Sequence, residues 1–148
     1  MTDMQTDPLR PHEESVALPD RFDAGLWFIG RIRTPWTSRA ECPKRGDAES
    51  GPACRIELDP RWTAALEGVA RHEKVQVLYW MHLSRRDAVR QNPHCADGSI
   101  GTFAIRSPLR PNPIASSVVR LMGVEGTILT VRGLDLSLIH ISEPTRPY

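Results

Sequence analysis

Between Gly101 and Leu121 the chain sets three prolines and two arginines into the eight residues 106–113, with β-branched and aromatic residues on either side. Pro108, Pro111 and Pro113 lack an N–H and fix φ, and each pushes the residue before it, Ser107, Arg110 or Asn112, towards an extended conformation. No helix survives that pattern. The stretch reads as strand, rigid loop, strand, with Thr102, Phe103 and Ile105 on one side and Val118, Val119 and Leu121 on the other. A loop with little backbone freedom left to lose suits ligand contact, and Arg106, Arg110 and Asn112 supply hydrogen-bonding groups there. The competing reading is a proline-stiffened turn at a sheet edge.

The rest of the chain alternates between extended runs and punctuation. Residues 26–33 are apolar in their first half and alternating in their second, and Thr34-Pro35 ends them, so they are predicted as a strand with Trp27, Phe28 and Ile29 in the core. Residues 54–58 alternate and read as a strand ended by Asp59-Pro60. A short helix follows, capped by Asp59, opened by Pro60, carrying Trp62, Ala65 and Leu66 at helical spacing and stopped by Gly68. Residues 75–82 are the most apolar run and are predicted as the central strand, ending in His82. Residues 116–124 and 127–132 flank Glu125-Gly126, the pattern of a tight hairpin. Five or six strands against one or two short helices give a mainly β fold, a sheet or barrel.

A length of 148 residues suits one domain, and 40% hydrophobic with 25% charged residues describes an ordinary globular chain. No apolar run approaches the roughly 20 residues of a membrane helix, and the N-terminus lacks a secretory pattern, so a cytoplasmic protein is expected. Residues 1–24 mix Pro, Asp, Glu and Arg without period and are expected to form a mobile tail. With a net charge of +1, any nucleic-acid contact must come from a local patch. Arg85, Arg86 and Arg90, in the polar connection after His82, are the candidate phosphate contacts, against the plainer reading of a solvated loop. Lys44-Arg45, on a turn between Pro43 and Gly46, is a second candidate anion contact, against the plainer and favoured reading of a solvated charge pair.

Other chemistries lack their signatures. Cys42, Cys54 and Cys95 form no Cys-x-x-Cys pair, which argues for free thiols. His82, His94, Cys95 and Asp97 match no tight metal-binding spacing, so no metal is expected, and there is no nucleophile elbow, Walker loop or Gly-x-Gly-x-x-Gly.

Five motifs in order carry a resemblance: Gly30-x-Ile32-x-Thr34-Pro35, Cys42-Pro43-Lys44-Arg45-Gly46, Trp80-Met81-His82, Phe103-Ala104-Ile105-Arg106-Ser107 and Arg110-Pro111-Asn112-Pro113-Ile114. From Leu26 to about Asp135 the chain resembles the TsaA-like (TrmO) methyltransferase family. The resemblance implies a single-sheet β-barrel working as a homodimer, which binds S-adenosylmethionine and methylates N6-threonylcarbamoyladenosine beside the tRNA anticodon. Carried over residue by residue, cofactor contacts fall on Pro43, Lys44, Arg45, His82, Leu83, Arg106, Ser116 and Asp135, with Arg110, Asn112 and Pro113 shaping the same site. It assigns no catalytic residue, and a sulfonium methyl, already activated, asks for positioning more than for an acid or base.

Two departures stand out. Ala115 occupies a position where many members have glycine. After Asp135 the family's acidic-glycine turn and closing strand are missing, and residues 137–146 look like a translated sequencing adapter, so the expected division is a tail over 1–24, a barrel over 25–136 and a non-native end over 137–148. The alternative functions are methylation of a small molecule or another RNA by the same barrel, and a non-catalytic S-adenosylmethionine- or RNA-binding regulator.

Overall fold

The computed structural model describes residues 8–36, 47–94 and 97–134. Its strands are β1 (Glu14–Ser15), β2 (Gly30–Arg33), β3 (Cys54–Leu58), β4 (Lys74–Trp80), β5 (Ala88–Gln91), β6 (Ile100–Gly101), β7 (Ile114–Glu125) and β8 (Ile128–Arg132), with short 3-10 helices between them. The fold is mainly β, as the sequence predicts. The chain divides into two compact units, one made of residues 1–25 and 80–115, the other of 26–79 and 116–148.

The second unit holds a five-stranded sheet in the order β2-β3-β8-β7-β4, curled as a half-barrel. Alternation in β3 and β8 sends Cys54, Ile56, Leu129 and Val131 to one buried face, and the antiparallel register sets Ile32 beside Ile56 beside Leu129 and Cys54 beside Val131. Each such buried aliphatic side chain contributes about 1.5–3 kcal/mol. Gly30 belongs to this face because β3 passes so close that a Cβ there would overlap the Glu57 carbonyl oxygen.

Trp27, Phe28 and Ile29 do not enter the core; they are 71%, 49% and 50% exposed. The pairing of β2 begins only at Gly30, opposite Leu58, and beyond Leu58 the partner chain turns away into Asp59-Pro60. Just beyond that point the Asp59 N–H donates to Ile29 O at 2.9 Å. The apolar β4 is an edge strand rather than the central one, and Leu78 on its open face is 68% exposed. β8 is central because β7 pairs it on one side through a hairpin and β3 on the other.

Glu125 pairs Ile128 around a two-residue turn, Gly126-Thr127, in which Gly126 takes φ 62°. The hairpin is thus present with its turn one residue later than predicted. The predicted helix is a 3-10 helix, Pro60–Leu66, and Asp59 caps it by accepting from the Arg61 N–H at 3.0 Å.

The first unit carries a three-stranded sheet, β1-β5-β6, to which residues 8–25 contribute a strand and a set of clasps instead of trailing as a tail. Glu13 accepts from the N–H groups of Asn92 and Arg10, both at 2.9 Å, while Asn92 Nδ2 donates to Pro11 O at 3.1 Å. The Val16 N–H adds a bond to Asp87 O at 2.8 Å. Thr102, Phe103 and Ala104 form a 3-10 turn, not a strand, and Phe103 is 77% exposed.

Candidate functional site

The proline-rich loop is held from beneath by Gln91, the last residue of β5 and only 3% exposed. Its Nε2 donates to Thr102 Oγ1 at 3.0 Å and to Leu109 O at 2.9 Å, and its Oε1 accepts from Ser107 Oγ at 2.6 Å. Thr102 Oγ1 passes the chain on to Ala88 O at 2.8 Å. At the far end of the loop Pro113 is fully buried, and its carbonyl accepts from the Met81 N–H at 2.8 Å. That bond sets the Met81–Ser84 turn, which carries half-buried His82 and exposed Leu83, against the loop.

The candidate residues divide by what they are committed to. Arg110 folds back on its own loop, donating to Ser107 O at 3.1 Å and Ile105 O at 2.5 Å, with its guanidinium 5.9 Å from the Phe103 ring. It shapes the loop. Arg106 is exposed and makes no hydrogen bond or ion pair with the described residues, so its five donors face outward. Asn112 is exposed, and its Oδ1 accepts from Arg86 Nη2 at 3.3 Å, which turns the amide NH2 away from Arg86. Ser116 lies on β7, in the other unit, where its Oγ accepts from Gln76 Nε2 at 2.9 Å. Ala115 adopts ordinary β-strand geometry, so its methyl imposes no strain. Pro43, Lys44, Arg45 and Asp135 lie outside the described residues.

The three arginines read as phosphate contacts are engaged within the chain. Arg85 pairs with Asp87 through Nε at 2.5 Å and Nη2 at 3.0 Å. The guanidinium of Arg86 lies 4.7 Å from the Phe22 ring and 5.2 Å from that of Trp80, and its Nε donates to Pro111 O at 2.6 Å. Arg90 donates to Ser99 Oγ at 2.9 Å and Ser99 O at 2.8 Å. Gln91 and Phe22 are residues that the sequence did not single out. No periodicity marks a glutamine at a strand end, and Phe22 comes from a stretch without pattern.

Cys54 is buried in β3, and desolvation pushes its thiol up to about 11, which leaves no thiolate for nucleophilic work near neutrality. Among the described residues no three His, Cys, Asp or Glu side chains cluster as metal ligands, and no helix is long and apolar enough to cross a membrane. A separate cleft of about 390 Å3 is lined by Leu26, Trp27, Phe28, Asp59 and Arg61, none of them an expected site residue.

Residues 31–138 match the family model of the tRNA-methyltransferase O N-terminal domain, TrmO_N. This chain belongs to the TrmO family. The family region contains the proline loop, the Met81–Ser84 turn and all of the five-stranded sheet but Gly30, whereas the clasp at residues 8–25 lies outside it. A probable S-adenosyl-L-methionine-binding protein, VirR, of Rhizobium radiobacter is 47% identical over 133 residues, covering 89% of this chain and 75% of that protein. A putative S-adenosylmethionine-dependent methyltransferase, RcsF, of Pseudomonas aeruginosa is 33% identical over 114 residues, 73% of this chain and 49% of that protein. Among solved structures, a TrmO from Pseudomonas aeruginosa aligns with TM-score 0.57 at 34% identity, covering 73% of this chain and 47% of that one. A second TrmO structure aligns at TM-score 0.60 and 32% identity, with 73% and 49% covered. The TrmO-family chain described here thus spans about half the length of the solved TrmO chains it matches.

Proposed function

We propose that this chain is an S-adenosylmethionine-dependent methyltransferase acting on N6-threonylcarbamoyladenosine next to the tRNA anticodon, in the cytoplasm and as a homodimer. The observation that carries the reading is the family match, which spans every candidate site residue from His82 to Ser116. Relatives named as S-adenosylmethionine-binding proteins and methyltransferases support the cofactor.

The residues present fit such a ligand. Arg106 offers an uncommitted guanidinium to a carboxylate, Asn112 an outward amide donor, and Leu83, 53% exposed, an apolar surface for a flat ring. The bound cofactor supplies an activated sulfonium methyl. The chain's part is to hold donor and acceptor in one geometry, and a loop stiffened by three prolines and tied down by Gln91 loses little entropy in doing so. The family resemblance adds Pro43, Lys44, Arg45 and Asp135, outside the described residues, to the proposed cofactor contacts.

Incubation of the purified chain with methyl-labelled S-adenosylmethionine and bulk tRNA tests this reading. Label in tRNA, at the threonylcarbamoyl nucleoside after digestion, is the expected result, and light scattering at twice the chain mass accompanies it. Label in tRNA at another nucleoside, or only in small molecules, overturns the substrate. The names of VirR and its archaeal counterparts favour one second reading, cofactor binding without turnover, which calorimetric binding with no transfer to any acceptor would select.

A further inference from the structure

The face of the five-stranded sheet opposite the core carries an arginine field. Side chains of residues directly opposite across an antiparallel ladder share a face. The register sets Arg33 opposite Arg55 and Arg55 opposite Thr130, and it sets Arg31 opposite Glu57 and Arg120 opposite Arg132. Ile32, Ile56, Leu129 and Val131 face the other way into the core. Arg31, Arg33, Arg55, Arg132 and Arg120 therefore stand together on four adjacent strands, in a chain whose net charge is only +1.

Two of these cross-strand pairs, Arg33 with Arg55 and Arg120 with Arg132, bring like charges face to face, an arrangement that lowers sheet stability. Two carboxylates of the described residues lie on the same face. Glu57 is shared between Arg33 at 3.2 Å and Arg55 at 3.7 Å, and Glu125 sits at the hairpin end. Arg55 and Arg120 are exposed. The Nε of Arg132 is buried without an acceptor among the described residues, and its Nη1 reaches only the Glu49 carbonyl at 3.4 Å.

We propose that this face docks the phosphate backbone of an RNA substrate, an inference that rests on the RNA reading above and locates the contact on the sheet rather than on Arg85, Arg86 and Arg90. Neighbouring strands lie roughly 4.8 Å apart, so four of them spread the arginines over about 15 Å, the span of several consecutive phosphates. Arginine forks suit phosphate oxygens in two-point contacts, and backbone contact of this kind gives register without reading sequence.

Fluorescence anisotropy with a labelled tRNA transcript, titrated between low and moderate salt, tests the inference without any methyl transfer. Arg55→Ala combined with Arg120→Ala is expected to weaken binding about ten- to hundredfold at low salt and to reduce the salt slope by about two, since each lost phosphate contact removes roughly 0.9. Arg55→Lys with Arg120→Lys should keep the slope, and Arg71→Ala, in the 3-10 helix Val69–Arg71 and on none of the four strands, should change nothing. Melting curves establish that each variant is folded. Undiminished binding by the alanine pair, or a lysine pair as weak as the alanine pair, overturns the inference and leaves the RNA reading standing. An unsubstituted chain that binds no RNA overturns both.

Discussion

Gln91 decides how the proline loop is presented. Its side chain makes one acceptor and two donor contacts in a site almost closed to water, so truncation leaves Ser107 Oγ and the Leu109 carbonyl to be satisfied elsewhere. Gln91→Ala is expected to lower stability by about 1–3 kcal/mol and to weaken S-adenosylmethionine binding, read by chemical denaturation and calorimetry. Arg106 is the opposite case. With no bond to the described residues, Arg106→Ala should leave the melting temperature unchanged while costing about 1.5–3 kcal/mol of cofactor affinity, the range for a charge-assisted hydrogen bond. Unchanged affinity would remove Arg106 from the site. The prolines made the loop's rigidity legible in the sequence, because their effect is local. The division of labour between Arg106 and Arg110 was not, because it depends on which carbonyls the folded loop turns inward.

Among the elements, β3, β8 and the β7–β8 hairpin follow from alternation and turn chemistry, and the Asp59 cap from its position before Pro60. β2 came out shorter because a strand ends where its partner leaves, which its own residues do not record. β4 looked central because apolar content does not distinguish a buried strand from an edge strand with an exposed apolar face. The N-terminal clasp was invisible for a related reason: its bonds are long-range and polar. Burial alone would raise the Glu13 pKa, but the Asn92 and Arg10 N–H groups more than offset that and hold it below the ordinary 4.5. A carboxylate lowered on folding contributes stability fully above 4.5 and loses it as pH falls through the lowered value. Amide exchange at Asn92 and Val16 should therefore lose protection below pH 4.5 while the β3 and β8 amides stay protected, and Glu13→Gln should flatten that dependence. Equal acid sensitivity in both sets of amides would show that Glu13 is not the switch.

For the whole molecule, strand count and turn spacing were enough to read a mainly β chain, but not that residues 80–115 and 1–25 gather into a unit of their own. That grouping interrupts the five-stranded sheet in sequence between β4 and β7. The β7–β8 pairing spans two turn residues, whereas closing β4 onto β7, as in the Leu121 N–H to Glu73 O bond of 2.8 Å, must bridge the whole interruption. Closure over a long stretch costs chain entropy before any contact returns it. The hairpin should form the folding nucleus, and β3 and β4, each distant in sequence from the strand it pairs, should dock after the barrier. Leu129→Ala is then expected to slow folding, while Val77→Ala mainly speeds unfolding, as stopped-flow kinetics would read. The order of assembly would thus run from the strand the sheet is centred on to the strand at its rim, with the edge strand of the sheet the first to leave when the molecule opens.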